Sequence, residues 1–258
     1  MDVLGAGIWQ LLILAVLGLV GGVLSGTAGV GGGIVFVPTL VYAAGWNIKE
    51  AVAASLVIVI FSSLSGTIRS TRSEDPVDWR TAAILSSAVA PASLIGVFVS
   101  RVSPATVVQV AFAVLILVLA YPTARGRPDF DKESKKIPLP LTLLSGVFIG
   151  ALSGLVGIGG GIVLVPLMVL GLGLATKRAV STSLAVVLFT GIVASTAYIA
   201  TGFNDLLSLP PLVIGSMVGA WLGVHLRDLL PEKVLRVGFA GFMMVVALRI
   251  LADAAGIL

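Results

Sequence analysis

Apolar residues fill this 258-residue chain in ten runs, and short polar stretches separate the runs. Most of the runs approach the length of about 20 residues that an α-helix needs to cross the hydrocarbon core of a bilayer. The pattern therefore predicts a helical protein that crosses the membrane several times. The runs cover residues 8–25, 34–44, 51–68, 81–100, 104–122, 139–153, 162–174, 179–200, 210–226 and 234–251.

The chain contains an internal repeat. Sliding it by 128 positions places Gly22–Pro38 on Gly150–Pro166 with 12 of 17 residues identical, and the same offset places "AVAASL" at 51–56 on "AVSTSL" at 179–184. So many matches in one register indicate duplicated halves rather than a chance recurrence of small residues. The sequence predicts an N-terminal membrane repeat at 1–123, a polar linker at 124–138 and a C-terminal membrane repeat at 139–258.

The distribution of Lys and Arg predicts how the two halves are oriented, because basic residues favour cytoplasmic loops. If each half crosses the membrane an odd number of times, thirteen basic residues share the side of the linker and three lie opposite; an even number gives nine against seven. The odd count makes the two halves antiparallel, an arrangement that is common in transporters. It places the linker in the cytoplasm and both termini outside.

Two of the apolar runs are too short to cross alone and follow glycine loops. The run at 34–44 would rise about 16 Å as a helix, against roughly 30 Å of hydrocarbon. We therefore expect an all-α polytopic membrane protein with two inverted-topology repeats, each with a glycine-tipped broken or re-entrant helical hairpin and about three full transmembrane helices. Whether 34–44 and 162–174 are re-entrant or complete a span stays open. The first glycine loop contains Gly29, Gly31, Gly32 and Gly33, and the second contains Gly157, Gly159, Gly160 and Gly161.

The glycine loops are candidates for binding an anion. Glycine permits positive φ and leaves the backbone amides uncovered, and successive amides can form an anion nest. The alternative is that the glycines only permit close helix packing. Hydroxyl groups could donate further hydrogen bonds to an oxyanion without the cost of a buried cation, or they could bond to their own helices. The candidate hydroxyls belong to Ser25, Thr27, Ser55, Ser153, Thr182 and Ser183.

Composition narrows the function classes. The chain is 58% hydrophobic and only 11% charged, whereas a soluble domain carries about 25% charged residues. It has no cysteine, one histidine and no acidic residue away from the loops, so neither a catalytic constellation nor a metal site is expected. The net charge of +4 fits cytoplasmic loops better than nucleic-acid binding. No cofactor is expected. The sequence thus favours a carrier over an anion channel, and both over an intramembrane enzyme.

The doubled motif resembles a known family. "GVGGGIVFVP" with "AASL" following, repeated as "GIGGGIVLVP" with "STSL", resembles the TauE/SafE membrane permeases, the sulfite exporter or toluene sulfonate uptake permease (TSUP) family. The resemblance covers both halves. It implies transport of a small sulfur-containing anion, such as sulfite, an organosulfonate, sulfoacetate or thiosulfate, across a bacterial cytoplasmic (inner) membrane. The expected partners are this substrate and the lipid bilayer. The anion, the direction and coupling of transport, and the oligomeric state, including a homodimer, stay open.

Overall fold

The structure, a computed structural model, describes residues 8–125, 138–229 and 232–254. Helices account for most of these residues, and each apolar run of the sequence coincides with a helix, the runs at 34–44 and 162–174 extending past the short helices α2 and α7. Most of the predicted linker falls outside the described residues. In chain order the helices are α1 (Ile8–Ala28), α2 (Gly33–Pro38), α3 (Ile48–Ser70), α4 (Trp79–Val102), α5 (Ala105–Arg125), α6 (Leu139–Val156), α7 (Gly161–Pro166), α8 (Thr176–Ala200), α9 (Pro210–Leu229) and α10 (Glu232–Ala254).

The two short helices share one local structure. Helix α2 ends at Pro38 and continues as a π-helical turn over Thr39–Ala43, and α7 ends at Pro166 and continues likewise over Leu167–Gly171. Proline lacks the N–H that an α-helical hydrogen bond requires, so the backbone rewinds beside it. Both halves therefore carry the same six-residue helix with a π-helical extension.

The length and surface of the helices indicate a membrane protein. Within the described residues, five helices are long and apolar enough to cross a bilayer: α1, α3, α4, α6 and α8. Of these α3 is the most enclosed, whereas α1 and α6 turn large apolar side chains outward. An apolar surface of this extent is stable against lipid and not against water. Its exposed residues include Trp9, Leu12, Ile13, Val16, Leu94, Ile95, Phe98, Leu144 and Phe148.

The helices of one half pack on those of the other. Helix α1 packs on α9 and α6 packs on α4, while α3 packs on α8 and α5 on α10. Glycines on α1 and α6 lie directly against carbonyl groups of their partner helices. On α1, Gly22 lies against Ser216 of α9, and Gly26, four residues later, lies against Ala220, also four residues later. Helices α1 and α9 therefore run parallel. Each helix has a counterpart in the other half: α1 and α6, α3 and α8, α4 and α9, α5 and α10. Replacing every helix by its counterpart gives the same four helix pairs.

The central pair, α3 and α8, runs antiparallel. Gly66 near the end of α3 lies against Leu184 near the start of α8, and Gly191 of α8 lies against Leu56 and Ile60, earlier on α3. Because contacts late in one helix pair with contacts early in the other, the two helices point in opposite directions. These two helices occupy the same place in their respective halves.

The bundle has two ends, which we name by their lysines. At the Lys49 end, Lys49 at the start of α3 donates from Nζ to the carbonyl oxygen of Arg101 at the end of α4 (3.2 Å). At the Lys177 end, the loop between α3 and α4 packs on the start of α8, where Ser181 Oγ donates to the carbonyl oxygen of Asp75 (2.8 Å). Helix α9 ends on this second side, close to Lys177.

Candidate functional site

The glycine loops have the backbone conformation that glycine alone adopts readily. In the first loop Gly29, Gly31 and Gly32 have φ angles of 70°, 75° and 82°. The corresponding residues of the second loop, Gly157, Gly159 and Gly160, have φ angles of 77°, 80° and 78°. The fourth glycine of each loop lacks positive φ and is instead the first residue of α2 or α7. The halves thus repeat a conformation as well as a sequence.

The two glycine loops touch each other. A β-carbon on Gly33 would collide with the carbonyl oxygen of Gly157, and a β-carbon on Gly161 would collide with the carbonyl oxygen of Gly29. The contact is backbone to backbone, so any side chain at these positions would force the loops apart. The eight glycines predicted as one site therefore lie together, and Gly33 and Gly161 have a direct packing role.

Two serines connect each central helix to the opposite glycine loop. Ser55 Oγ on α3 donates to the carbonyl oxygen of Gly157 (2.8 Å), and Ser183 Oγ on α8 donates to the carbonyl oxygen of Gly29 (2.7 Å). Each hydroxyl also lies within hydrogen-bond distance of a carbonyl oxygen in its own helix. A hydroxyl has one proton to donate, and in this conformation both serines direct it to carbonyl groups. They hold the two loops together.

Ser25 and Ser153 are placed differently. They stand in the last turns of α1 and α6, four residues before each glycine loop, and are 0% and 1% exposed. Neither side-chain oxygen has a hydrogen-bond partner among the described residues. A buried hydroxyl without a partner costs free energy, because it has lost the hydrogen bonds that water supplied. These two hydroxyls are therefore free to bind a polar guest.

Backbone donors in the loops are also unpaired. The amides of residues 30–34 and 158–162 make no backbone hydrogen bond in the part of the chain that the structure describes, although the residues are buried. Buried amides are nearly always paired with protein groups or water. The unpaired N–H groups of the two touching loops, together with the hydroxyls of Ser25 and Ser153, can bind a molecule rich in hydrogen-bond acceptors.

The two candidate threonines do not join this group. Thr27 donates to the carbonyl oxygen of Val23 on its own helix (2.9 Å). Thr182 donates to the carbonyl oxygen of Arg178 (2.7 Å) and accepts from the amide of Asp78 (3.0 Å). Both protons are directed to the helix backbone, and Thr182 anchors the loop between α3 and α4.

Two residues that the predicted site does not include also contact the loops or their vicinity. Ser62 Oγ donates to the carbonyl oxygen of Gly31 (3.0 Å), and Tyr198 Oη donates to the carbonyl oxygen of Gly154 (3.0 Å). Ser62 lies seven residues after Ser55, so helical periodicity places both on one face of α3. That spacing is a signal that could have identified Ser62. No comparable spacing identifies Tyr198.

A cavity of about 450 Å³ opens at the Lys49 end. Its wall contains two cations, Lys49 and Arg101, and two carboxylates, Glu50 and Asp205. Tyr198 also lines it and contacts α6 just before the second glycine loop. The Tyr198 side chain thus connects the wall of the cavity to α6 near the second loop. Its other lining residues are Ala44, Gly45, Trp46, Ala53, Gly202, Phe203 and Asn204.

Within residues 8–125, 138–229 and 232–254, no group of three or more His, Cys, Asp or Glu side chains stands close enough to hold a metal ion. The donors beside the glycine loops are hydroxyl and amide groups, which suit an anion rather than a cation.

Comparison with known proteins places the chain among membrane transporters. A family model described as "Sulfite exporter TauE/SafE" matches residues 14–250. The probable membrane transporter protein YunE of Bacillus subtilis (strain 168) is 29% identical over 248 residues, covering 86% of this chain and 90% of that protein. A probable membrane transporter protein of Haemophilus influenzae is 27% identical over 260 residues, covering 93% and 97%. No solved structure matches significantly.

Proposed function

The chain belongs to the TauE/SafE family of membrane transporters, and from that premise we propose that it carries a small sulfur-containing anion, such as sulfite, thiosulfate, sulfoacetate or another organosulfonate. The anion binds near the middle of the membrane, between the two glycine loops. The amides of both loops and the hydroxyls of Ser25 and Ser153 donate to its oxygens. The protein is a carrier and not an enzyme.

The observation that carries this proposal is the set of unpaired donors where the loops meet. Ser25 and Ser153 are buried without a partner, and the neighbouring amides make no backbone bond in the described residues. An oxyanion has acceptor oxygens and no donor of its own, so it can pair with unpaired N–H and O–H groups. Neutral donors avoid the cost of a cation buried at membrane depth.

Alternating access follows from inverted repeats. Three observations support an inverted arrangement of 1–123 and 139–258: α3 and α8 run antiparallel, the serine bonds are reciprocal, and exchanging the halves preserves the helix pairs. In such a transporter one half rocks against the other around a fixed midplane site. The paired hairpins of α1 with α2 and of α6 with α7 then bring their glycine tips to the site from opposite sides.

The Lys177 end faces the cytoplasm in this proposal, and both termini lie outside. Among the described basic residues, Arg69, Arg72, Arg80, Lys177, Arg178 and Arg227 lie at or near this end. Lys49 and Arg101 lie at the other, and Arg249 stacks there on Tyr42 (4.5 Å). The imbalance agrees with the preference of basic residues for the cytoplasmic side.

The test uses purified protein in detergent and in liposomes. Sulfite, thiosulfate and sulfoacetate should raise the melting temperature in a saturable way, whereas choline and glucose should not. In liposomes the effective anion should drive counterflow of its labelled form, which a channel cannot do. Absence of any anion-dependent shift across the panel would refute the proposed substrate class, and saturable binding without counterflow would favour a channel.

Matched variants locate the site. Ser25→Ala and Ser153→Ala each remove one hydrogen bond to a charged group, worth about 1.5–3 kcal/mol or roughly 10- to 150-fold in affinity. Ser145→Ala is the control, since Ser145 lies on the same helix as Ser153 and donates to the carbonyl oxygen of Leu141 at the helix surface (2.9 Å). If both site variants bind the anion like the control, the anion binds elsewhere.

A further inference from the structure

The guanidinium of Arg227 is nearly enclosed at the Lys177 end of the bundle. Arg227 is 9% exposed, and its Nη1 donates to Ser181 Oγ (3.2 Å) and lies 3.4 Å from the carbonyl oxygen of Lys177. Ser181 in turn donates to the carbonyl oxygen of Asp75. The side chain thus bridges α9, the start of α8 and the loop between α3 and α4. Arginine side chains are rarely enclosed to this extent, so the position of Arg227 calls for a role.

The repeat identifies what stands in the same place at the other end. At the offset of 128, Ser181 corresponds to Ala53 and Lys177 to Lys49, and both counterparts line the open cavity. At the offset of 127 that relates the ends of the two halves, Arg227 corresponds to Ser100. The counterparts of Ser181 and Lys177 therefore line a cavity at the Lys49 end, whereas at the Lys177 end the same two residues are bonded by a guanidinium.

We propose that Arg227 is the gate of the transport pathway at the Lys177 end. In the conformation described, the pathway is open toward Lys49, where Lys49 and Ala53 line the cavity, and closed toward Lys177, where Arg227 bonds their counterparts Lys177 and Ser181. This inference rests on the proposed carrier function. When the opposite end closes, Arg227 leaves Ser181 and the carbonyl of Lys177, and its guanidinium then faces the departing anion. A cation at this point also excludes cations from the path.

The gate can be tested without any substrate, because the chain has no cysteine of its own. Single cysteines at the two corresponding wall positions, A53C and S181C, report access to an impermeant maleimide from each side of inside-out and right-side-out vesicles. In the otherwise native protein A53C should label quickly from its side, and S181C should label slowly. Equal rates at both positions would overturn the proposal.

Exchanging the gate residues should reverse the pattern. R227S added to S181C should accelerate labelling about 10- to 1,000-fold, the factor expected if a minor open state becomes the main one. S100R added to A53C should slow labelling. Because position 100 corresponds to Arg227, the new guanidinium is expected to reach residue 53 and the carbonyl of Lys49, as Arg227 reaches Ser181 and the carbonyl of Lys177. Unchanged labelling of S181C in the R227S protein would refute the gate.

A matched control separates gating from general damage. Arg69 is an arginine at the same end whose guanidinium stacks on Trp221 of α9 (5.7 Å), whereas the guanidinium of Arg227 bonds Ser181. R69S should leave S181C labelling slow, and acceleration equal to that by R227S would overturn the assignment. If R227S does not yield monodisperse protein, S100R decides from the other end. Failure of anion transport in the parent leaves these accessibility results intact, so the two proposals fail separately.

Discussion

The four paired serines should divide into two classes when each is changed to alanine. Ser55 and Ser183 hold carbonyl groups of the opposite glycine loop, whereas Ser25 and Ser153 are buried with no partner. We expect Ser55→Ala and Ser183→Ala to lower the stability of the protein without anion. Ser25→Ala and Ser153→Ala should leave that stability unchanged or raise it, and should weaken anion binding.

The magnitudes follow from what each substitution leaves behind. Ser55→Ala leaves the Gly157 carbonyl oxygen without the hydroxyl that bonds it at 2.8 Å. An unsatisfied buried acceptor costs about 1–3 kcal/mol, but side-chain hydrogen bonds measured in a membrane average nearer ~0.6 kcal/mol, because the unfolded chain also finds partners there. We therefore expect a loss of about 0.5–2 kcal/mol, which at about 2–4 °C per kcal/mol lowers the melting temperature by roughly 1–8 °C.

For Ser25 and Ser153, which have no partner, the change to alanine is expected to leave the stability of the anion-free protein unchanged or to raise it. Removing the hydroxyl of Ser25 removes an uncompensated desolvation penalty of about 1–3 kcal/mol and leaves only a small cavity. Thermal melting of the four variants, with and without saturating anion, measures both effects in one experiment. If Ser25→Ala destabilises the anion-free protein as much as Ser55→Ala does, then the distinction between hydroxyls that bond to the opposite loop and hydroxyls that bind the anion is wrong.

Three further predictions address the loops, the orientation and the cavity. Gly161→Ala should destabilise the protein by more than Gly45→Ala, because Gly45 has φ of 71° with nothing within 4 Å and so reports backbone strain alone, whereas a β-carbon at Gly161 pushes the loops apart; equal melting temperatures would contradict loop contact. Cysteines introduced by S73C and N204C should label from opposite sides of the membrane with an impermeant maleimide, and labelling from one side would exclude the inverted arrangement. Tyr198→Phe removes a buried hydrogen bond and should cost about 0.5–1.5 kcal/mol in a denaturant titration, against no change if the bond is not formed.

Hydropathy was enough to predict the helices. The apolar runs coincide with helices, except that 34–44 and 162–174 extend past α2 and α7 through π-helical turns. Run length predicts a membrane helix directly, and glycine adopts positive φ more readily than other residues, as three glycines of each loop do. The TauE/SafE membership suggested by the doubled motif is confirmed by the family model.

The partners of individual side chains could not be read from the sequence. A serine beside a loop is equally compatible with donating to a ligand, to its own helix or to a distant carbonyl, and the structure contains Thr27 bonded to its own helix and Ser55 bonded across the interface. Which of these forms depends on the contact of α3 with the loop between α6 and α7, about a hundred residues away in sequence. Tyr198 and Arg227 were missed for the same reason, because their contacts are long-range.

The two halves have the same residues where their glycine loops meet and different residues at the ends of the bundle. The loops must fit each other backbone to backbone, so a side chain added to either one damages both, and both keep the same glycines. At the ends no such constraint applies, since each faces a different side of the membrane. Serine at position 100 and arginine at position 227 therefore differ although the repeat places them at corresponding positions. In a carrier, a symmetric centre provides one binding site for the outward-open and the inward-open state, and different residues at the two ends make the barrier to opening different on each side. The R227S and S100R substitutions are designed to remove this difference between the ends.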